Sequence, residues 1–395
     1  MTYTTTLIIP FRFECKMGEI AAIDSQIQQK GIWQRVNYSD QNACRPIAEL
    51  YNESGNAAMY SAGKETVNRL FGSREFRVTS GQEQYDYSYG RLTLFVFATG
   101  VGFLCTELSV REEAALRRLR SVVAKGVKHY KKTGKDTYEE LPMTELIEKL
   151  LNFAENQPFF TSPNPQSFAQ ANLLIYAYND GQMTNNAVID DIFAGAGESV
   201  AKRLNPFAGV AWGISARCVA LVSNADCRIA STQLQANTAL HYLPLIVLAL
   251  HQKAAAFRYA EDIRTQSGQS DRLREEITTF QNTFLPENVS DAPIKQQIYN
   301  EVKRLNPAET APLTAFLAEK NKGSSAKDKV IGAVELLIAV AGIFSILSDG
   351  IDVIQKIVPE SMAAVCRYGL YGLCAVLAAV GCYGVYLLVR PSKKS

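Results

Sequence analysis

Two apolar stretches near the carboxyl end constrain the fold of this 395-residue chain more than any other feature of its sequence. Residues 330–347 carry one charged residue, Glu335, and residues 368–389 carry none. Because a helix rises about 1.5 Å per residue, each stretch is long enough to cross a hydrocarbon core of about 30 Å. The sequence therefore predicts two transmembrane helices, 330–348 and 368–389.

The basic residues around these stretches predict their orientation. Four lysines precede the first stretch within 320–329, and three basic residues follow the second within 390–395. The connection between them holds two basic residues beside three acidic ones. Since basic residues are enriched in cytoplasmic loops, both termini are expected on the cytoplasmic side of the inner membrane. The protein is thus predicted to be a multi-pass membrane protein.

The rest of the chain has the composition of a mixed α and β protein. Lys and Arg number 41 against 39 Asp and Glu, and this balance argues against direct nucleic-acid binding. Apolar runs predict strands at 7–13, 92–97, 101–108, 173–178 and 217–222. Helices are predicted at 17–30 and 112–132, in a core segment at 242–250, and in one-sided stripes at 273–284 and 294–305.

The predicted fold class is an α+β cytosolic domain followed by long helices and a two-span transmembrane helical hairpin. The expected divisions are a cytosolic α/β sensor domain (1–230), a helical stalk (231–320), a lysine-rich hinge (321–329), the first span (330–348), an outer connection (349–367), the second span (368–389) and a cytoplasmic tail (390–395).

Motifs for catalysis are weak in this sequence. The chain has three histidines and eight cysteines, and no two cysteines form a Cys-x-x-Cys pair. A zinc site and a Ser/His/Asp or Cys/His arrangement are therefore disfavoured. Residues 194–199 read Ala-Gly-Ala-Gly-Glu-Ser and lack the Gly-Lys-Ser/Thr of a phosphate-binding loop. We expect no enzymatic activity and assign no catalytic or metal-binding residue.

The first predicted span contains the candidate pore residues. A carboxylate within a span is costly and is usually functional, so Glu335 is expected to line or guard a conducting path. Ser345 and Asp349, further along the same segment, are the other candidates. Two spans cannot enclose an aqueous path alone, and small residues in the second span favour close helix packing. A homo-oligomer within the lipid bilayer is therefore expected.

Three segments resemble a divergent branch of the CorA-like metal transporters. They are Leu-Ile-Ile-Pro-Phe-Arg-Phe at 7–13, Thr-Gly-Val-Gly-Phe-Leu at 99–104 and His-Tyr-Leu-Pro-Leu-Ile-Val-Leu-Ala-Leu-His-Gln at 241–252. The order of cytosolic domain, long helices and two spans is also similar to that family, whose members assemble as pentamers. Some members of the branch accompany type III CRISPR antiviral systems. The resemblance implies a cytosolic domain that binds a nucleotide second messenger, S-adenosylmethionine conjugated to AMP, and a membrane effector.

One departure from the family affects the choice of function. CorA transporters carry Gly-Met-Asn at the outer end of the first span, whereas residues 346–350 here read Ile-Leu-Ser-Asp-Gly. Three functions stay open: a channel or effector gated by a cytosolic ligand in antiviral defence, a divalent-metal transporter for an ion such as Mg²⁺, and a membrane-anchored binding protein.

A nucleotide ligand needs an aromatic face for its base and basic or backbone donors for its phosphate. Arg12, Trp212 and Arg217 lie beside predicted strands of the α/β region. These three residues are the candidates for ligand binding.

Overall fold

Strands between residues 3 and 223 form one large mixed sheet in the computed structural model, which describes residues 1–13, 20–29, 31–120, 127–151, 171–265 and 270–318. The chain divides into two units, 1–310 and 311–395, and all elements named below belong to the first. The strands are β1 (Tyr3–Arg12), β2 (Gln34–Val36), β3 (Ala57–Ala62), β4 (Glu75–Ser80), β5 (Glu83–Phe97), β6 (Val101–Val110), β7 (Val127–Lys132), β8 (Tyr138–Glu140), β9 (Asn172–Tyr178), β10 (Lys202–Phe207), β11 (Val210–Ile214) and β12 (Cys218–Ser223).

Helices cover both faces of this sheet. They are α1 (Ile20–Gln29), α2 (Arg45–Asn52), α3 (Lys64–Phe71), α4 (Glu113–Arg120), α5 (Met143–Leu151), α6 (Asn185–Ala196), α7 (Ser231–Asn237), α8 (Leu243–Thr265), α9 (Ser270–Thr283) and α10 (Pro293–Leu305). A π-helical turn, Thr238–Tyr242, joins α7 to α8.

The strand order is β10-β11-β12-β9-β1-β6-β5-β4-β7-β8, with β3 on the second half of β5 and β2 on β3. Strand β1 lies near the middle and pairs antiparallel with both β6 and β9. Among the described strands, β9 and β12 form the one parallel pair. The connection from β9 to β12 passes through α6 and the β10–β11 hairpin, and the chain then returns to the sheet as β12, beside β9.

Alternating side chains of the strands face two helical layers. Leu7, Ile9 and Phe11 of β1 point into the larger core, which helices such as α4 and α6 cover. Helices α2, α8 and α10 pack on the other face. There the imidazole of His251 on α8 stacks on Phe97, with ring centroids 4.0 Å apart. The helices of the predicted stalk region thus pack directly on the sheet.

A buried ion pair ties α10 to the segment before α2. Lys295 Nζ lies 2.7 and 2.6 Å from the two carboxylate oxygens of Asp40, and the side chains are 9% and 3% exposed. Burial raises the pKa of Asp40, but the bonds from Lys295 and from the Asn42 N–H outweigh it and hold the pKa below its usual value. Loss of either partner would leave a buried charge without compensation.

The strands predicted from apolar runs are confirmed, and one predicted helix is wrong in its second half. The basic stretch 112–132 begins as α4 but ends as strand β7, which pairs with β4. In β7, His129 turns inward and is buried, while Lys128 is exposed to solvent. In the sequence, the alternation of buried and exposed residues along this strand is hard to recognise, because three of its six residues are lysines.

The structure contradicts the predicted fold class, with its two-span membrane hairpin. No helix among the described residues is long and apolar enough to cross a membrane. The longest helix in the described part of the chain is α8. Its first third is apolar, but its second half contains the charged residues Arg258, Glu261 and Asp262. The same finding contradicts the prediction of a multi-pass inner-membrane protein and of an ion channel. The predicted hinge, spans, connection and tail lie outside the described residues.

Candidate functional site

The carboxyl ends of β9 and β12 meet at one edge of the sheet. The two strands run parallel from Leu173 beside Cys218 to Tyr178 beside Ser223. Just before this end, the Tyr176 hydroxyl and Ser223 Oγ lie 2.9 Å apart, and burial raises the pKa of Tyr176. In sheets with parallel strands, ligands commonly bind beyond the carboxyl ends, where the loops that follow the strands converge.

The loop after β9 is held by one buried amide. Asn179 Nδ2 donates to the Met183 carbonyl at 2.7 Å and to Asn185 Oδ1 at 2.9 Å, and its Oδ1 accepts from the Gly181 N–H. Asn185 Nδ2 in turn donates to the Gly209 carbonyl at 3.1 Å. These bonds fix the start of α6 against the β10–β11 turn.

Helix α6 begins at this loop with a side-chain cap. Thr184 Oγ1 accepts a bond from the Ala187 N–H at 3.2 Å. The N–H groups of Asn185 and Asn186, in the first turn, have no hydrogen-bond partner within the described residues. A helix cannot satisfy its own first N–H groups, so these two donors are available to a ligand.

The β10–β11 hairpin forms the opposite wall. Its strands shift register between Leu204 and Phe207, and the Phe207 ring is 46% exposed at the end of β10. The Asn205 side chain, in the same irregular stretch, has no hydrogen-bond partner within the described part of the chain. The hairpin therefore presents an aromatic face and an amide to solvent.

The loop after β12 completes the walls. Asn224 Oδ1 accepts from the Asp226 N–H at 3.0 Å, and Asn224 Nδ2 donates to Asp226 Oδ2 at 3.2 Å. The Asn224 N–H also donates to the Gly209 carbonyl at 3.0 Å. The carboxylate of Asp226 is thus held next to the hairpin turn.

These segments line an open pocket of about 510 Å³ at the surface. The three connections supply its lining, with Met183 and Phe207 as apolar walls and with amide side chains between them. The volume lies within the range of small-molecule sites. The pocket is suited to hold a small molecule that has a flat face and several hydrogen-bonding groups.

The candidate residues from the sequence lie elsewhere. Trp212 is buried on β11, with its ring centroid 4.7 Å from that of Tyr242. Arg217 precedes β12, at the end of that strand opposite the pocket. Arg12 ends β1, and its Nη2 lies 2.8 Å from a carboxylate oxygen of Glu261 on α8. The structure does not bring these three residues together at the pocket, and their role in binding stays a prediction.

The pore candidates Glu335, Ser345 and Asp349 lie outside the described residues. Within the described part of the chain, no group of three His, Cys, Asp or Glu side chains could hold a metal ion.

The pocket residues were missed because their signal is distributed over three loops. The stretch 179–205 is rich in Gly, Asn and Asp, which marks a long connection but does not indicate what faces it. Residues 205–209 read Asn-Pro-Phe-Ala-Gly, which predicts a turn, but that Phe207 is exposed there emerges only from the structure.

No family model, no curated protein and no solved structure matches the chain. The resemblance to the CorA-like proteins stays a prediction, and the function has to be inferred from the pocket.

Proposed function

We propose that the protein is a sensor that binds a nucleotide-type ligand in the pocket between α6, the β10–β11 hairpin and the loop after β12. The observation that carries the proposal is that Phe207, with its exposed ring, lines the same cavity as Asn185 and Asn186, whose backbone N–H groups have no partner among the described residues. An aromatic ring offers a stacking face to a base, and helix N–H groups are suited to a phosphate oxygen.

The amide side chains of the pocket support a nucleobase. The side chains of Asn186 and Asn205 line the cavity, and the structure gives them no hydrogen-bond partner among the described residues. An asparagine amide matches the paired donor and acceptor on the edge of adenine. We therefore place the base against Phe207, the amides along its edge and the phosphate at α6.

The conjugate of S-adenosylmethionine with AMP belongs to this ligand class and remains a candidate. The membrane channel is left out of the proposal, because the described helices do not support it. Homo-oligomerisation and a role for Mg²⁺ stay predictions.

Isothermal titration of the purified full chain tests the proposal, with adenosine, AMP, ATP and the conjugate as probes. Phe207→Ala should weaken binding by roughly 1–3 kcal/mol, the usual contribution of one base stacked on an aromatic ring. Phe257→Ala is the matched control, because Phe257 is 49% exposed on α8 and does not line the pocket.

Two results would contradict the proposal. One is that none of the four probes binds wild-type protein, and the other is that both phenylalanine variants bind as wild type does. Stabilisation by Mg²⁺ alone in a thermal shift assay would favour the metal-binding alternative.

A further inference from the structure

The charge of the pocket limits which nucleotides it can accept. Among the described residues that line it, Asp226 is the one side chain that is charged at neutral pH, and no lysine or arginine is present. The other polar groups on its walls are amides, hydroxyls and backbone groups. A ligand in this pocket therefore meets one formal negative charge and no formal positive charge from the side chains that line it.

The nearest arginine of the hairpin is already engaged. Arg203 Nη1 donates to the Asn186 carbonyl at 3.2 Å, and Arg203 Nη2 pairs with Asp190. Both bonds hold the guanidinium against α6. Arg203 therefore fixes the hairpin to the helix and does not line the pocket.

The position of Asp226 is fixed by its surroundings. Its side chain accepts from Asn224, and its backbone packs against the hairpin turn so closely that a Cβ added at Gly209 would lie 2.6 Å from the Asp226 carbonyl carbon. The backbone of this loop therefore holds the Asp226 side chain beside the pocket. Its charge acts on any ligand that enters.

Sites for nucleoside triphosphates balance the phosphate charge with lysine, arginine or a bound magnesium ion. A chain of phosphates in this pocket would have no such partner and would also face a carboxylate. Asp226 is exposed, and Coulomb repulsion between its carboxylate and each added phosphate charge lowers the affinity even at the high dielectric constant of the surface.

We propose, on the basis of the proposed nucleotide function, that the pocket selects a nucleoside ligand with at most one phosphate and that Asp226 rejects di- and triphosphates.

The experiment is titration of the full chain with adenosine, AMP, ADP and ATP in magnesium-free buffer. We expect AMP to bind at least roughly tenfold more tightly than ATP. The isosteric variant Asp226→Asn should narrow the difference between AMP and ATP by roughly tenfold and leave adenosine binding nearly unchanged. Asp180→Asn is the control, because Asp180 lies in the neighbouring loop but does not line the pocket.

The outcomes separate this inference from the proposed function. Equal or tighter binding of ATP would overturn the inference and leave the nucleotide function intact. An unchanged preference in Asp226→Asn, or an equal effect of both aspartate variants, would remove the role of Asp226. If none of the four compounds binds, the proposed function fails and the inference fails with it.

Discussion

Gly209 holds the β10–β11 turn in the left-handed region of the backbone, with φ of +76°. A Cβ at this position would lie 2.2 Å from the Cys227 N atom, so the turn and the loop after β12 approach each other through a glycine. The Gly209 carbonyl also accepts bonds from Asn185 and Asn224. One residue thus joins three walls of the pocket.

Gly209→Ala should therefore destabilise the protein and weaken ligand binding. We expect a loss of unfolding free energy about 1–3 kcal/mol larger than that of Gly81→Ala, measured by urea denaturation. Gly81 is the matched control because it also lies in a hairpin turn at positive φ, but an added Cβ there meets nothing within 4 Å. Equal losses would show that the contact with the Cys227 loop is not tight.

The sequence shows which residue types could bind a ligand, but it does not show where in the fold they lie. Arg217 borders the predicted strand β12 but lies at the end opposite the pocket, and Trp212 lies on β11, a strand that was not predicted, where its ring packs on Tyr242. The face and the end of a strand depend on pairing register, which comes from distant segments. The exposed Phe207 and the uncharged amides around it could not be recognised without that register.

At the scale of elements, helix α6 positions the donors of the pocket. Its cap, Thr184, comes directly after the loop that Asn179 holds, and the cap sets where the first turn begins. The two unpaired N–H groups follow at the next two residues. The Thr184 hydroxyl therefore helps to set the direction of these two N–H groups.

Thr184→Ala should cost about 1 kcal/mol of stability, as is usual for loss of a cap, and should weaken AMP binding more than adenosine binding. Thr184→Ser keeps the hydroxyl and is expected to behave as wild type. The measurement is chemical denaturation of both variants together with titration of the two ligands. A parallel loss for adenosine and AMP would contradict the placement of the phosphate at α6.

Elements with strong apolar runs were predictable, and elements with mixed patterns were not. The hairpin of β5 and β6 was visible because its turn, Thr99-Gly100, interrupts two apolar segments. Strand β7 could not be predicted from its own sequence, because it forms by pairing with β4, a separate segment of the chain. Helix α6 lies in the stretch 179–205, whose content of Gly, Asn and Asp indicates a long connection with room for a short helix.

At the scale of the whole molecule, buried histidines link folding to pH. Burial lowers the pKa of His129 to about 4 and that of His251 to about 3. His251 Nε2 lies 2.7 Å from Thr99 Oγ1, and His129 Nδ1 lies 3.1 Å from the Tyr87 hydroxyl. Both side chains are therefore neutral in the folded protein at pH values where the unfolded chain is protonated.

Stability should fall as the pH decreases from 6.5 toward 4, because the unfolded chain then binds more protons than the folded protein. Above pH 6.5 this contribution is fully present. His251→Gln or His129→Gln should each reduce the slope of unfolding free energy by about 1.4 kcal/mol per pH unit in this window. Urea denaturation at a series of pH values measures the slope. An unchanged slope in both variants would contradict the burial of neutral imidazoles.

The overall α+β character followed from the sequence, but the extent of the sheet did not. Nothing in the apolar runs indicates that β1 pairs with both β6 and β9, since such pairings join segments far apart in the chain. The stalk predicted at 231–320 looked independent because its helical stripes are regular. Helices α8 and α10 pack on the face of the sheet opposite the larger core, a surface that only the assembled strands create, and α9 packs on α8.

The central position of β1 has a consequence during synthesis. Of the described strands β1 emerges first, yet its partners β6 and β9 end at residues 110 and 178. At ribosomal rates, β1 waits about 5–20 s for β6 and about 8–33 s for β9. Both of its edges, and the apolar side chains of Leu7, Ile8 and Ile9, are uncovered for that time. Until β9 has left the ribosome, this strand is therefore the part of the sheet most open to pairing with another chain.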